Sequence, residues 1–216
     1  MKQVTGKINS SSAANKVSIQ LALDGHSFSL TGGMQAGEQP AEASSASVAG
    51  ADAVAVPLTV EIVTPRTLLV PEAFFMPERA ALLLTADGKA PLEGETTVWS
   101  VPSDEVVAVM AVPEAALAQL PATERTYTTP LLHPLHPDKP TLRLEPVGPY
   151  LYIKCWHAGL RLAEVLPAPT DTDIRYATER LESEFSAKQY ALRIAGPRAG
   201  ALVKLLGHLY PDTRCE

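Results

Sequence analysis

The chain has 216 residues and a formal net charge of -6, with 46% hydrophobic and 19% charged residues, as is typical of a globular protein with a substantial core. The acidic balance and the lack of a Lys/Arg cluster argue against nucleic-acid binding, no apolar run is long enough to cross a membrane, and 2 cysteines are too few for a disulfide scaffold. The 19 prolines favour many short elements over a helical bundle. The polar N-terminus lacks a secretory signal, so a cytoplasmic location is expected.

The first predicted structure is a β-hairpin. Residues 1–16 are polar and predict a disordered tail. Apolar and polar residues then alternate over 17–23 and 26–31, on either side of Asp24-Gly25, which is the strongest short-range hairpin signal. Residues 32–53 are rich in Gly, Ala, Ser, Gln and Glu, which predicts a flexible insert.

Short strands and helices follow up to a proline-rich connector. Strands are predicted at 59–63, 67–70, 96–101, 105–112 and 125–128, and helices at 77–85 and 113–120. Four prolines lie within 129–140, so no long helix is expected in this connector.

The second half repeats the rhythm of the first. Leu142 and Leu144 predict a strand, followed by strands at 150–156, 160–166 and 191–195 and by helices opening near Pro169 and Pro197. Alternating strands and helices of this kind indicate a mixed-sheet α/β fold, and the two halves suggest a duplicated unit.

Four segments together resemble a known family. They are VSIQLALDGHSFSL (17–30), VEIVTPRTLLVPEAFF (60–75), VAVMAVPEAALAQLP (107–121) and YLYIKCWHAGLRLAEVLP (150–167). The family that they resemble consists of uncharacterised Bacteroidetes proteins of unknown function and is grouped with the actin-like ATPases. The resemblance implies two ribonuclease-H-like lobes, at 17–128 and 141–216. It also implies that the second lobe is incomplete, because a further strand is expected after Tyr210 and the sequence stops at Glu216.

The resemblance also implies where a nucleotide would bind. Active members of that superfamily hold Mg-ATP with two Asp-x-Gly-type phosphate loops and a glycine-rich adenosine loop. The matching positions here are Asp24 and Gly25, then Glu145 and Gly148, then Gly196, Arg198 and Gly200.

All three loops depart from the pattern. The first glycine directly follows Asp24, the second loop has Glu145 flanked by prolines that bring no backbone N–H to a phosphate, and Pro197 interrupts the last loop. We therefore expect that nucleotide chemistry has been lost and that no cofactor or metal is held.

Each loop also has an ordinary structural interpretation. Asp24-Gly25 is a typical two-residue hairpin turn, and Gly196–Gly200 is typical of a strand-to-helix turn with proline at the first helical position. His133 and His136 form an H-x-x-H that could belong to a zinc site, but further ligands are missing nearby, which favours a solvated loop.

Two other clusters have both a functional and a structural interpretation. Cys155 and His157 share one face of a strand and could pair a thiol with a base, yet no orienting third group is evident. The Phe74–Met76 cluster could be an interaction patch, although packing between lobes is the more common fate of such residues.

The sequence thus favours a non-catalytic actin-like module that binds a protein partner or itself, the latter as a homodimer. The alternative is a divergent Mg-ATP-binding ATPase or phosphotransferase, in which Asp24 and Glu145 hold Mg²⁺ and the Gly196–Gly200 turn holds the nucleotide. A regulatory domain that binds a small ligand in the same cleft is a third interpretation.

Overall fold

The structure is a computed structural model that describes residues 17–24, 27–34, 58–135, 137–184, 186–210 and 212–216, with the side chains of Gln20 and Leu21 described in the first two strands. The predicted tail at 1–16 and most of the predicted insert at 32–53 lie outside these residues. The strands are β1 (Val17–Asp24), β2 (Ser27–Met34), β3 (Leu58–Val63), β4 (Thr67–Pro71), β5 (Glu95–Trp99), β6 (Val106–Pro113), β7 (Arg125–Thr128), β8 (Thr141–Val147), β9 (Tyr150–Trp156), β10 (Leu160–Pro167), β11 (Ala191–Ile194) and β12 (Thr213–Cys215). The helices are α1 (Ala80–Ala86), α2 (Glu114–Leu117), α3 (Asp171–Glu184) and α4 (Ala199–Leu206).

The predicted N-terminal hairpin is confirmed. β1 and β2 pair antiparallel from Val17 opposite Met34 to Asp24 opposite Ser27. The second strand continues through Gly32, Gly33 and Met34, where the sequence predicts the start of the insert, because the antiparallel partner strand supplies hydrogen bonds that residue composition does not reveal.

Two sheets share the same central arrangement. One has the strand order β2-β1-β3-β7 and the other β10-β9-β8-β11-β12. In both, an antiparallel hairpin is followed by two strands that run parallel to its first strand. Strands up to Thr128 form the first sheet and a smaller one, and strands from Thr141 form the second sheet, so the repeated rhythm of the sequence corresponds to a repeated topology.

The second sheet has a fifth strand within residues 213–215, where the residue pattern predicts none. β12 runs parallel to β11, with Leu192 opposite Thr213 and Ile194 opposite Cys215. The expectation that the chain stops before the strand that should follow Tyr210 is therefore corrected, because three residues suffice for a strand when an existing edge supplies the partner groups.

A third, antiparallel sheet has the order β4-β6-β5 and carries α1 on one face. β6 is almost entirely buried, and Leu84 of α1 packs with Val109 in its core. The opposite alternating positions of β6 contact the first sheet, where Met110 packs with Val60. This small sheet is thereby fixed to the N-terminal half.

The joint between the two large sheets is apolar at one end. Val63 and Leu131 pack against Tyr150, Tyr152 and Val165. The Tyr152 hydroxyl donates a hydrogen bond to the carbonyl of Thr64 at 3.4 Å. The two halves therefore share a packed core beside the charged groups described below.

The described helices are short. The longest, α3, has 14 residues, whereas about 20 apolar residues are needed to cross a bilayer. No helix among the described residues is long and apolar enough to span a membrane.

Candidate functional site

A cluster of polar and charged side chains bridges the two large sheets. We call Gln20, Glu61, His133, Arg143 and Glu145 the charge cluster. Glu61 lies on β3, Glu145 lies on β8, and the His133 ring lies between them. Nε2 of His133 is 2.6 Å from Oε1 of Glu61, and Nδ1 is 3.0 Å from both carboxylate oxygens of Glu145.

The geometry of His133 defines its charge. A carboxylate oxygen accepts hydrogen bonds and donates none, so both ring nitrogens must carry a proton to bond both acids. His133 is therefore an imidazolium held between two carboxylates, one from each half of the molecule. A neutral ring would leave a nitrogen lone pair facing a carboxylate.

The electrostatics of the cluster agree with this assignment. Hydrogen bonds to Glu145 and then to Glu61 raise the pKa of His133 to about 9, outweighing burial, which lowers it. Burial would raise the pKa of Glu61, but the hydrogen bond and charge of His133 and the hydrogen bond from Gln20 hold that pKa below its ordinary value. The Gln20 amide donates to Oε2 of Glu61 at 2.7 Å.

Two cations besides His133 lie near Glu145, Arg143 within the cluster and Lys154 beside it. Arg143 lies 2.9 Å from Oε2 of Glu145 and also pairs with Glu216. The ammonium of Lys154 donates to the backbone carbonyl of His133 at 2.6 Å. Burial and then the charge of Arg143 lower the pKa of Lys154 to about 8. The chain itself thus supplies positive charge on several sides of Glu145.

The cluster is tightly filled. The gap bounded by Arg143, Glu145, Tyr152 and Lys154 does not admit a water molecule. Among the described residues, no three His, Cys, Asp or Glu side chains are arranged to hold a metal ion. Chemically, the arrangement acts as a proton-dependent link between β3 and β8.

The second predicted phosphate loop lies where the charge cluster meets the β8–β9 turn. Glu145 is the member of this loop that enters the cluster, with only 12% of its side chain exposed. Gly148 lies in the exposed two-residue turn after β8, at φ +56°, a left-handed conformation that favours glycine. The loop therefore forms a tight β-turn, with Glu145 directed into ion pairs.

The predicted adenosine loop lies beside β8. Gly196 has φ +87°, and a Cβ added there would meet the carbonyl oxygen of Pro146 at 3.4 Å. Arg198 precedes α4 and forms an ion pair with Asp171 at the start of α3. Gly200 lies within the first turn of α4. The strand-to-helix turn is present, and its arginine is bound to a carboxylate of this chain.

The first predicted phosphate loop is described only in its backbone. Asp24 is the last residue of β1, opposite Ser27. Gly25 lies outside the described residues. The structure therefore brings Glu145 and Gly196 to one place, while the side chain of Asp24 is not among those described.

The expectation that His133 lies in a solvated loop is wrong. The H-x-x-H motif favours a solvated loop over a zinc pair, yet the side chain of His133 is only 34% exposed and bridges two acids. His136 lies outside the described residues. Glu61 was missed altogether, although a single acid within the apolar strand LTVEIV is a sequence signal that could have drawn attention to it.

The structure also describes Cys155, the candidate nucleophile. Cys155 is buried, and burial raises its pKa, as for a structural thiol.

The packing expected for residues 74–76 is wrong for Phe74 and Met76, which are 75% and 42% exposed. Only Phe75 packs, with its ring 5.9 Å from that of Trp99. Phe74 and Met76 lie in the segment between β4 and α1, in which no residue is fully buried.

Comparison with known proteins identifies the fold. No protein-family model matches the chain, and no curated protein matches it. A Bacteroides thetaiotaomicron VPI-5482 protein with an actin-like ATPase fold and unknown function is similar over 98% of this chain and 94% of its own, with 14% identity and a TM-score of 0.67. A second match is the cytoplasmic domain of EpsL, an inner membrane component of the type II secretion system of Vibrio cholerae. It aligns over 94% of this chain and 85% of its own, with 11% identity and a TM-score of 0.44. Nothing about the present chain follows from this match. The chain therefore has the actin-like ATPase fold, as the resemblance of its four segments predicts.

Proposed function

We propose that this protein is a non-catalytic module of the actin-like ATPase fold that acts by binding another protein. The proposal has two parts, the loss of nucleotide chemistry between the two sheets and the use of an exposed surface elsewhere.

The loss of nucleotide chemistry is supported by the contacts that Glu145 already makes within the chain. In the alternative ATPase, this carboxylate would help to hold Mg²⁺ beside a phosphate. Here His133 and Arg143 already bond both of its oxygens. A metal ion at Glu145 would therefore have to displace His133 and Arg143 and leave each cation with a single carboxylate, Glu61 for the imidazolium and Glu216 for the guanidinium.

The neighbouring turns support the same conclusion. The carbonyl of Pro146 lies close to Gly196, and Arg198 is paired with Asp171 instead of being open to an anion. The exposed side chains of Phe74, Met76, Trp99 and Val101 support the second part. The Trp99 ring lies 5.9 Å from that of Phe75, the residue between Phe74 and Met76, and exposed apolar patches are typical of protein-binding surfaces.

A Mg-ATP titration tests the loss of nucleotide binding. We expect no heat by calorimetry and no rise in melting temperature at millimolar Mg-ATP. A ligand of the folded state at 100 times its dissociation constant would instead add about 2.7 kcal/mol to the free energy of unfolding.

Glu145→Gln is the matched control for this titration. A saturable heat with the wild-type chain that disappears in Glu145→Gln, while the variant keeps its circular dichroism spectrum, would contradict the proposal. That result would support the divergent ATPase or phosphotransferase and justify turnover assays.

A further inference from the structure

The small sheet exposes large apolar side chains at the end where β4 and β5 finish. Both strands run antiparallel to β6, so their last residues lie at the same end of the sheet. The chain leaves β4 through residues 72–79 and leaves β5 through residues 100–105, and neither segment lies in a strand or an α-helix. We call residues 72–79 and 99–105 the apolar end of the small sheet.

Two contacts join the segments of the apolar end. The N–H of Glu72 donates to the carbonyl of Glu105 at 2.8 Å. The ring of Phe75 lies 5.9 Å from that of Trp99, the last residue of β5. The two segments therefore present their remaining side chains on one surface.

The apolar side chains of this surface are those that protein interfaces use most. Trp99 is 40% exposed and Val101 is 60% exposed, and Phe74 and Met76 on either side of Phe75 are exposed as well. Single exposed apolar residues are normal on any protein, but phenylalanine, tryptophan and methionine are enriched where proteins bind one another. Several of them at one end of a sheet indicate a docking surface.

Carboxylates border these apolar side chains. Glu72 and Glu78 lie on either side of residues 74–76, and Glu105 ends the turn that follows β5. All three are exposed, and none of them has an ion-pair partner among the described residues. Acidic residues outnumber basic ones at the apolar end, where Arg79 is the single cation. The surface is therefore apolar at its centre and negatively charged at its border.

We propose that the apolar end binds a cationic amphipathic helix of a partner protein, whose apolar face covers Phe74 and Trp99. Lysine or arginine side chains beside that face pair with Glu72, Glu78 and Glu105. This inference rests on the proposed interaction role and names the class of the partner.

The backbone of the apolar end favours a helix over an extended peptide. Neither connecting segment contains a strand, and Pro77 and Pro102 bring no N–H, so the segments offer no regular ladder of backbone groups for strand addition. A helix satisfies its own backbone groups internally and presents only side chains. Apolar residues three and four positions apart would form the face that lies on the exposed rings.

Charge argues against a second copy of this chain and against an anionic membrane. A two-fold dimer brings the same surface of both copies together, so two sets of Glu72, Glu78 and Glu105 would face each other. The same carboxylates would repel the phosphates of an anionic lipid surface. A cationic partner is attracted by them.

The probe is a phage-displayed library of helical peptides of about four turns, selected against the whole chain. Selected peptides are synthesised with a fluorescent label and titrated by fluorescence anisotropy. We expect sequences with apolar residues three and four positions apart beside lysine or arginine, and an affinity that falls as the salt concentration rises.

Phe74→Ala and Trp99→Ala test whether the peptides bind at the apolar end. Each should weaken binding about tenfold, because aromatic side chains supply most of the affinity of such surfaces. Phe74 is so exposed that the fold should not depend on its ring, which keeps the test valid if Trp99→Ala alters the circular dichroism spectrum. Tyr176→Ala, which removes an exposed ring from α3, is the matched control and should bind like the wild type.

A pair of double variants tests the charged border. Glu72→Gln combined with Glu105→Gln should weaken binding about fivefold, the effect of losing two exposed ion pairs. Glu93→Gln combined with Glu114→Gln removes the same charge at the opposite end of the small sheet, where β5 begins and β6 ends. This second variant should bind like the wild type.

Several outcomes would overturn the inference. They are a library that yields no saturable binder, binding that survives both Phe74→Ala and Trp99→Ala, and equal effects of the two double variants. Self-association by sedimentation equilibrium that Phe74→Ala abolishes would make the surface a dimer contact instead. Flotation with phosphatidylglycerol vesicles that Phe74→Ala abolishes would make it a lipid-binding surface.

Failure of this inference and failure of the proposed function are distinguishable. Selected peptides that bind at another surface would overturn the inference and leave the interaction role intact. A saturable heat with Mg-ATP would overturn the non-catalytic role, and the effects of Phe74→Ala and Trp99→Ala on peptide binding do not depend on it.

Discussion

At the scale of single residues, Asp104 and Glu105 form a turn in an unusual conformation. Their φ angles are 51° and 63°, and Ser103 and Val106 on either side exchange two backbone hydrogen bonds of 2.9 and 3.0 Å. This is the geometry of a two-residue hairpin turn with both central residues left-handed, where Asp-Gly is the usual choice. Glu105 therefore carries a side chain at a position that favours glycine.

Glu105→Gly should stabilise the protein. Glycine relieves the free-energy cost of the left-handed backbone, and this relief exceeds the free-energy cost of the extra chain entropy that glycine has in the unfolded state. The free energy of unfolding should therefore rise by about 0.5 kcal/mol. Urea denaturation of both chains would measure it.

Glu93→Gly is the control for this substitution. Glu93 is also exposed and lies in a turn, but its φ is not positive, so glycine there should destabilise the protein. Equal effects of the two substitutions would refute the strain argument.

At the scale of elements, β12 shows how a neighbouring strand creates structure. The N–H of Leu192 donates to the carbonyl of Asp212 at 2.8 Å, and the N–H of Glu216 donates to the carbonyl of Ile194 at 2.9 Å. With Ile194 opposite Cys215, this parallel register directs the backbone groups of Arg214 toward β11 and those of Cys215 away from it.

Arg214→Pro should destabilise the protein by about 2 kcal/mol, because it removes a ladder donor and places a ring against β11. Cys215→Pro should have a much smaller effect, since its N–H faces outward. Arg214→Ala separates the loss of the side chain, which pairs with Asp212, from the loss of the N–H. Thermal denaturation of the three variants provides the comparison, and equal losses for the two prolines would exclude the register.

At the scale of the whole molecule, His133 links the halves through a proton. Its pKa is raised from 6.5 to about 9, so the folded state binds a proton that the unfolded state releases. The resulting stability is fully present below pH 6.5 and is lost as the pH rises through about 9. Lys154 acts in the opposite sense, because its pKa falls from 10.5 to about 8 and folding is favoured as the pH rises between these values.

The difference in stability between wild type and His133→Gln should therefore shrink as the pH is raised from 6 to 9. The slope is at most about 1.4 kcal/mol per pH unit, and exposure of the imidazole to solvent reduces it. Taking the difference cancels the contribution of Lys154. Urea denaturation at several pH values would measure it, and a difference that does not change with pH would mean that His133 is neutral in the folded state.

The sequence predicts most strands and helices because their signals are local. Alternation over 17–23 and the proline-flanked strand at 59–63 depend on side chains a few residues apart. β12 and the extension of β2 carry no such signal, since each exists through hydrogen bonds to another strand. The environment of His133 was equally inaccessible, because Glu61 lies 72 residues away in the chain.

By itself, the sequence determined the fold class, the hairpin, the proline-punctuated order of elements and the departure of all three loops from the nucleotide-binding pattern, since these follow from residue type and short spacing. Only the tertiary structure decided that Glu145 is held by His133 and Arg143, and that Phe74 and Trp99 are exposed at the same end of the small sheet. Such features depend on which distant strands become neighbours, and that is determined by the packing of two sheets against each other.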